Sequence, residues 1–167
     1  MIRNPVPGAS TARASRRPKP AAQSATTGEK KVKGRKRHIL VDTLGLLIRV
    51  CVLAADISDS AGARQLLAPL VGKLPRLARV WADSAYRGEL EEWVRDRFGC
   101  PLEIVTKLAG QVGFVVQPKR WTVERTFSWF GRARRLSKDY EHHTKASESM
   151  IYIASIYLLI RRLAKTS

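Results

Sequence analysis

The chain has 167 residues, 44% of them apolar, which is enough for one domain with a modest hydrophobic core. Its charge is unusual, because 31 Lys and Arg stand against 14 Asp and Glu, giving a net charge of +17 and an isoelectric point near 10.8. This clustered excess of positive charge predicts a polyanionic partner. Nucleic acid is favoured, and an anionic membrane surface is the alternative.

The cysteine content and the hydropathy pattern indicate the cellular compartment of the protein. Cys51 and Cys100 are too few for a disulfide framework and lack the spacing of a zinc site, so we expect reduced thiols in a cytoplasmic, nucleoid-associated protein. Cys51 lies in an apolar run and is expected in the core.

No signal peptide is recognisable, and the longest apolar stretch, 150–160, is too short to span a bilayer. We therefore expect no membrane partner.

The N-terminal region differs in composition from the rest of the chain. Residues 1–29 are rich in Pro, Ala, Ser, Thr and Arg and have almost no large apolar side chains, which predicts a disordered basic tail. Nothing in that stretch predicts a strand. A basic run over 30–37 follows, and we place the start of the folded domain, 30–167, there.

From residue 39 onward the patterns predict alternating strands and helices. A β-branched run, a turn at 42–45 and an apolar run over 46–54 predict an antiparallel hairpin whose second strand is buried on both faces. Ser60 is expected to cap a helix that ends near Leu70. The remaining expected elements are a strand over 79–82, a helix over 87–98, a strand over 102–106, a loop over 107–116, a helix from 120 or 121 to 136 and a helix over 147–164. This order predicts an α/β fold, with a mixed sheet flanked by helices.

Asp83 directly follows the strand predicted over 79–82. Reactive groups of α/β sheets collect at the carboxyl ends of strands, so Asp83 is a candidate catalytic residue and metal ligand. An aspartate in this position can equally cap the turn that follows. Asp42, in the hairpin turn, and Asp56, after the hairpin, are interpreted as structural.

Glu124 lies between Val123 and Phe127, near the buried side of its predicted helix. A carboxylate there is costly unless it is paired or bound to a metal, which makes Glu124 the second candidate catalytic residue and metal ligand. The alternative is an ion pair with Arg120 or Arg135 on the same helix face.

Two basic clusters are candidate DNA-binding surfaces, because the arginine fork matches the geometry of a phosphate group. For the second cluster, the alternative is a solvated helix face whose aromatic residues belong to the core. Both interpretations can hold together, with the arginines facing DNA and the aromatic residues in the core. These aromatic residues are Trp121, Phe127, Trp129 and Phe130. The candidate residues are Lys30, Lys31, Lys33, Arg35, Lys36 and Arg37 in the first cluster and Lys119, Arg120, Arg125, Arg132, Arg134 and Arg135 in the second. The three histidines, His38, His142 and His143, show no metal-binding spacing and are given no catalytic role.

Taken together, these segments resemble a known family, the bacterial insertion-sequence DDE transposases of the insertion sequence five and insertion sequence four type. The resemblance covers roughly residues 30–164. Residues 33–38 and 41–45 resemble the family's first hairpin, Trp81-Ala82-Asp83-Ser84-Ala85-Tyr86 its second-aspartate motif, residues 120–129, 134–136 and 139–141 its glutamate helix, and residues 150–152 its closing helix.

The resemblance implies an RNase H-like fold in which three acidic residues hold two Mg²⁺ or Mn²⁺ ions. Such ions bind carboxylate oxygens, activate a water or a DNA 3′-hydroxyl and stabilise the leaving oxygen. Carried over, Asp83 is the second acid, Glu124 the third, and Arg120 an arginine of the glutamate helix. The implied partners are transposon-end and target DNA, with a second copy or an intact transposase as candidate protein partners.

The family's first aspartate is expected at the end of a strand that precedes the hairpin. Before residue 39 the sequence has one acidic residue, Glu29, and no predicted strand. We therefore expect a truncated or decayed copy that lacks the first strand, binds DNA and is weakly active or inactive in transposition. The alternatives are a non-catalytic DNA-binding remnant, an inhibitor of an intact transposase, and an RNA-binding protein of the translation apparatus.

Overall fold

The computed structural model describes residues 2–3, 25–26, 33–105 and 118–166. Four strands come first in this part of the chain, helices and strands then alternate, and two helices come last, which agrees with the predicted α/β class. The elements are β1 (Ile2–Arg3), β2 (Ala25–Thr26), β3 (Lys33–Val41), β4 (Leu47–Ala54), α1 (Asp59–Leu67), β5 (Val80–Asp83), α2 (Glu89–Phe98), β6 (Leu102–Val105), α3 (Pro118–Gly131) and α4 (Thr144–Thr166). Short 3₁₀ turns cover Ala68–Leu70, Ser84–Tyr86 and Arg134–Leu136.

The strands form one mixed sheet. Its order is β2-β3-β1-β5-β6, and β4 pairs with β3 outside this path. The predicted hairpin is confirmed, since β3 and β4 pair antiparallel with His38 opposite Cys51. β1 runs antiparallel to β3 and parallel to β5, and β5 runs parallel to β6. The prediction of a mixed sheet is therefore confirmed for the described strands.

Two strands lie where the sequence predicts none. Ile2–Arg3 pairs with β3 and β5, and Ala25–Thr26 pairs with β3. The predictions that no strand precedes Lys30 and that the first strand is lacking are therefore wrong at these four residues. A two-residue strand is defined by its long-range partner and is too short to show an alternating pattern of its own. The remainder of the predicted disordered tail lies outside the described residues.

Alternation along β3 divides the core between the two faces of the sheet. Leu40 faces a cluster with α1 and α2 that includes Leu66 and Leu90. Ile39 faces the opposite cluster, formed with α3 and α4. The described part of the chain is thus arranged in three layers, with helices on both faces of the sheet.

Both cysteines belong to the first of these cores. Cys51 and Cys100 are buried free thiols, as expected for Cys51 from its apolar surroundings in the sequence. Burial raises the pKa of both thiols, and the nearby Glu148 carboxylate raises that of Cys51 further. Both thiols are therefore protonated and poor nucleophiles at neutral pH.

The boundaries of the helices differ from the sequence predictions, and α2 begins at Glu89, two residues later than predicted. Ser58, rather than Ser60, caps α1, and its hydroxyl accepts a hydrogen bond from the Ala61 N–H at 3.3 Å. Helix α3 ends at Gly131, before the predicted residue 136, because glycine is a poor helix former. Helix α4 begins at Thr144, three residues earlier than predicted.

Helix α4 covers the outer edge of the hairpin. The Val52 N–H donates to Glu148 Oε1 at 3.0 Å, and the Val50 N–H donates to the Tyr152 hydroxyl at 3.3 Å. These contacts satisfy backbone donors that an edge strand would otherwise leave to solvent. Val50, Cys51 and Val52 are buried whereas Ile48 is 37% exposed, so the prediction that this strand is buried on both faces is confirmed for its middle and wrong at Ile48. Among the helices that the structure describes, none has both the length and the apolar character needed to cross a lipid bilayer.

Candidate catalytic residues and nucleic-acid interface

Asp83 is the last residue of β5 and the cap of the turn that follows it. Its Oδ1 accepts a hydrogen bond from the Ala85 N–H at 2.9 Å, and its side chain is half-buried. The capping role that the sequence allowed for Asp83 is therefore present. A metal-binding role for the same carboxylate stays a prediction.

Helix α3 crosses the face of β5 that carries Asp83. Trp81 and Asp83 alternate with the buried Val80 and Ala82 and so share a face of the sheet. The Lys119 ammonium, in the first turn of α3, lies 4.1 Å from the centroid of the Trp81 ring. Glu124 follows on the same helix and is half-buried. The two predicted acids thus come from a strand end and from the helix that packs against that strand.

Among the described residues, no third side chain completes a metal site with Asp83 and Glu124. No group of three or more His, Cys, Asp and Glu within the described ranges could hold a metal ion. β1 is the neighbour of β5, and its Ile2 pairs with Ala82, which brings Arg3 level with Asp83. A two-metal centre requires several carboxylate oxygens around the ions. The donor set that the structure describes therefore does not fit two divalent ions.

A buried histidine–tyrosine pair supports the turn that Asp83 caps. Tyr86, the last residue of that turn, is fully buried, and its hydroxyl lies 3.1 Å from His38 Nδ1 in a shared hydrogen bond. His38 Nε2 faces Gly62 so closely that a Cβ at Gly62 would be 2.5 Å away. Desolvation by burial lowers the pKa of His38 to about 4, although the nearby Asp59 opposes this. His38 is therefore neutral at physiological pH.

The spacing of the three histidines indicated no role for His38, so its support of this turn was not predicted. The available signal was its alternation with Leu40 along a strand, which places both on one face of the sheet. Gly62, which leaves room for the imidazole, lies on a different element and could not be connected with His38 from sequence alone.

Arg35 of the first basic cluster is bonded inside the fold. Its Nη1 donates to Glu141 O at 2.9 Å and to Asp139 Oδ2 and the Ser147 hydroxyl, both at 3.2 Å. Its Nη2 donates to the carbonyl oxygen of His142. These hydrogen bonds from Arg35 connect β3 to the segment before α4 and to the first turn of α4.

Its two neighbours are also bonded internally. Lys36 Nζ donates to Ile57 O and to Asp59 Oδ1, both at 3.0 Å, and Arg37 Nη1 donates to Leu136 O at 2.9 Å. Desolvation lowers the pKa of Arg37, with Asp139 acting in the opposite direction. Any DNA contact by residues 35–37 would compete with these internal bonds. Lys30, Lys31 and the Lys33 side chain lie outside the described residues.

The second basic cluster begins where α3 docks on the hairpin turn. Arg125 Nη2 donates to Leu44 O at 2.9 Å, and the Thr126 hydroxyl donates to Gly45 O at 2.8 Å. Gly45 has a φ of +82°, in the left-handed region that favours glycine. Asp42 Oδ1 accepts the Leu44 and Leu46 N–H groups at 2.9 and 2.8 Å, which confirms its predicted structural role.

Most of the second cluster faces outward. Lys119, Arg132, Arg134 and Arg135 are exposed, and Arg135 pairs with Glu141 at 3.1 Å. Phe127 and Phe130 contribute to the core as predicted, whereas Trp121 is 45% exposed. The Arg120 side chain lies outside what the structure describes, so its predicted pairing with Glu124 stays a prediction.

Comparison with known proteins agrees with the sequence resemblance. The profile of the family described as the transposase DDE domain matches residues 6–159. No curated protein and no solved structure gives a significant match. The profile match spans well over half of the chain and contains the β3–β4 hairpin, Asp83 and Glu124. The chain therefore belongs to the transposase DDE domain family.

Proposed function

We propose that this chain is a DNA-binding transposase-family protein of the insertion sequence five or insertion sequence four type whose strand-cleavage activity is weak or absent. The observation that carries the proposal is the incomplete acid set, because no group of three or more acids, His or Cys among the described residues could hold a metal ion. The strand next to β5 has Arg3 level with Asp83. Phosphoryl transfer by two divalent metal ions requires a fuller set of carboxylates than this.

An RNase H-like fold is part of the proposal. An antiparallel hairpin, β3–β4, is followed by the parallel pair β5–β6, with helices on both faces of the sheet. We assign Asp83, at a strand end, and Glu124, on the helix that packs against that strand, to the second and third acids that the family resemblance implies. This order of strands and helices supports the RNase H-like assignment. Among the described residues, we find no counterpart of the family's first acid.

DNA binding is supported by the outward-facing cations of α3 and the turn after it. Exposed Arg and Lys side chains neutralise phosphates and release condensed counterions, which stabilises the complex without reading the base sequence. We therefore expect affinity for duplex DNA to fall steeply and linearly on a log–log plot against salt concentration. The same chemistry applies to transposon ends and target DNA.

A two-part assay on the full chain tests the proposal. Filter binding or fluorescence anisotropy on a labelled duplex measures affinity at several salt concentrations, and incubation with supercoiled plasmid and Mn²⁺ or Mg²⁺ measures nicking. We expect salt-sensitive binding and little or no nicking, with no difference in nicking between the wild type and Asp83→Asn. Robust metal-dependent nicking that Asp83→Asn abolishes would overturn the claim of weak activity, and absence of binding at low salt would overturn the claim of DNA binding.

An inhibitor role through pairing with another transposase chain is the second candidate. The C-terminal half of α4 exposes an apolar stripe at helical spacing, formed by Ile153, Ile156, Tyr157, Ile160 and Leu163. A stripe of this kind is typical of helix–helix contacts between chains. Sedimentation equilibrium should show a mass that rises with protein concentration and falls back to that of one chain in Ile156→Glu. A constant one-chain mass for the wild type at high concentration would contradict self-association.

A further inference from the structure

Trp121 differs from the other three tryptophans of the chain in its environment. Trp81, Trp93 and Trp129 are half-buried and contact protein groups, for example through the hydrogen bond that Trp81 Nε1 donates to Glu103 Oε2 at 2.9 Å. Trp121 lies in the first turn of α3, and 45% of its surface is exposed. A large, flat aromatic ring is therefore presented to solvent at the start of this helix.

The side of α3 that carries Trp121 faces away from the core. Ser128 stands two turns further along the helix on the same side and is exposed, and Arg132, exposed just beyond the end of the helix, continues the line. The buried residues Val123 and Phe130 lie on the opposite side of the helix. The outward side of α3 and the turn after it therefore combine an aromatic ring, a hydroxyl group and a guanidinium group.

The charge around this outward side fits a polyanion better than a second copy of the same surface. Residues 125–138 contain five Arg or Lys and neither Asp nor Glu, although Arg135 pairs with Glu141. Arg132 and Arg134 are exposed. Two copies of such a surface would bring like charges together, whereas nucleic acid brings phosphates to the cations. The indole ring carries no charge, so it suits a different part of the same ligand, the π face of a base.

We infer that Trp121 stacks on an unpaired base, so that this side of α3 prefers DNA with an exposed base over a fully paired duplex. The inference rests on the proposed DNA-binding function and names the form of DNA that is bound. Within a duplex the neighbouring bases cover each base face, so a face becomes available only in a single strand or where a base leaves the stack. Stacking on an aromatic side chain then stabilises the complex whatever the base, while cations follow the backbone.

Two labelled duplexes that differ by one unpaired thymine test the inference. We expect the wild type to bind the bulged duplex more tightly than the paired one. Trp121→Ala should lose about fivefold or more in affinity for the bulged duplex, with little change for the paired duplex. The slope of log affinity against log salt should stay the same, because the substitution removes no charge. Trp121→Phe should lose less, because a phenyl ring still stacks on a base.

Two control variants separate stacking from other effects on binding. Tyr140→Ala removes another aromatic side chain, which is 61% exposed in the segment between α3 and α4, and should leave both affinities unchanged. Arg132→Ala removes an exposed cation, so it should weaken binding to both duplexes equally and make the salt slope shallower by about one. A preference for the bulged duplex that depends on Trp121 alone would therefore come from stacking.

Tryptophan fluorescence at saturating DNA gives a measurement that does not depend on affinity. A base stacked on an indole ring quenches its emission, so the bulged duplex should quench the wild type and quench Trp121→Phe much less. Trp93→Phe is the matched control, because Trp93 is half-buried on α2, and it should keep the quenching.

Four outcomes would contradict the inference. An equal loss on the two duplexes in Trp121→Ala, or no loss on either, would overturn base stacking and leave the proposed function standing. A mass that rises with protein concentration without DNA, and no longer does so in Trp121→Ala, would show a second chain on this surface instead of DNA. If circular dichroism shows that Trp121→Ala is unfolded, Trp121→Phe decides, and its unchanged quenching would overturn stacking. Absence of wild-type binding to either duplex at low salt would overturn both proposals.

Discussion

The two basic clusters of this chain have similar compositions and opposite environments. In the first, Arg35, Lys36 and Arg37 donate to carbonyl and carboxylate oxygens of the protein itself. In the second, Arg132 and Arg134 point outward. Residues 35–37 of the first cluster stabilise the fold by joining β3 to distant segments, while the exposed Arg132 and Arg134 of the second leave their charges available to a polyanion. The high net charge therefore overstates the number of cations that are free to bind DNA.

Strand and helix geometry explain the difference. β3 lies inside the sheet, between neighbours on both sides, so its side chains are directed into the layers of helices above and below. A cation in such a place must be paired, because an unpaired buried charge is strongly destabilising. The end of α3 and the turn after it lie at the surface, where water solvates arginine without a protein partner.

Removing the Arg35 side chain should produce the largest effect. Arg35→Ala deletes the donors to Glu141 O, His142 O and Asp139 and leaves these acceptors without their partner at a side chain that is 15% exposed. Hydrogen bonds to charged groups in partly buried places typically contribute about 1.5–3 kcal/mol, so we expect a loss of about 2–4 kcal/mol in the free energy of unfolding. Urea denaturation followed by circular dichroism measures it.

Arg135→Ala is the matched control for this comparison. Arg135 also pairs with a carboxylate, that of Glu141, but its side chain is 66% exposed, and an exposed ion pair contributes only about 0–1 kcal/mol. We expect Arg135→Ala to leave the unfolding midpoint almost unchanged. Equal destabilisation by the two substitutions would remove the distinction between the clusters.

Much of the fold could be predicted from local patterns. The hairpin, the strand before Asp83 and the order of helices follow from runs of apolar residues whose period is set by the strand or helix itself. The short strands β1 and β2 could not, because a two-residue strand is defined only by its pairing with β3. The choice of Ser58 over Ser60 as the cap of α1 is decided by where the helix begins, which the sequence leaves open between two good capping residues.

The sequence predicted the candidate site residues whose position depends on neighbouring residues. It did not predict contacts with residues far away in the sequence. The place of Asp83 at a strand end followed from the motif around it, and the structure adds the bond from the Ala85 N–H. The internal use of Arg35 and Arg37 could not be foreseen, because their acceptors lie about a hundred residues further along the chain. The sequence shows that a residue is cationic, whereas tertiary packing decides whether its charge reaches solvent.

His38 is an ionisable residue of the same strand, β3. We expect its effect on the free energy of unfolding to be smaller than that of Arg35. The pKa of His38 is lowered to about 4 in the folded protein by burial, whereas an unfolded chain has a histidine pKa near 6.5. Its contribution to stability is therefore complete above about pH 6.5 and is lost progressively as the pH falls toward 4, because only the unfolded chain takes up the proton. We expect a slope of about 1 kcal/mol per pH unit in the free energy of unfolding over this range.

Urea denaturation at several pH values between 4 and 7 measures this slope, and a histidine substitution separates it from the titration of carboxylates. His38→Gln should flatten the slope by about one proton. If His38→Gln weakens the fold at every pH, the slope still distinguishes loss of the Tyr86 contact, which is independent of pH, from loss of the titration. An unchanged slope in His38→Gln would show that protonation of His38 is not resisted by the fold. The contrast between the internally bonded side chains of β3 and the exposed cations that follow α3 would then hold for the arginines and fail for His38.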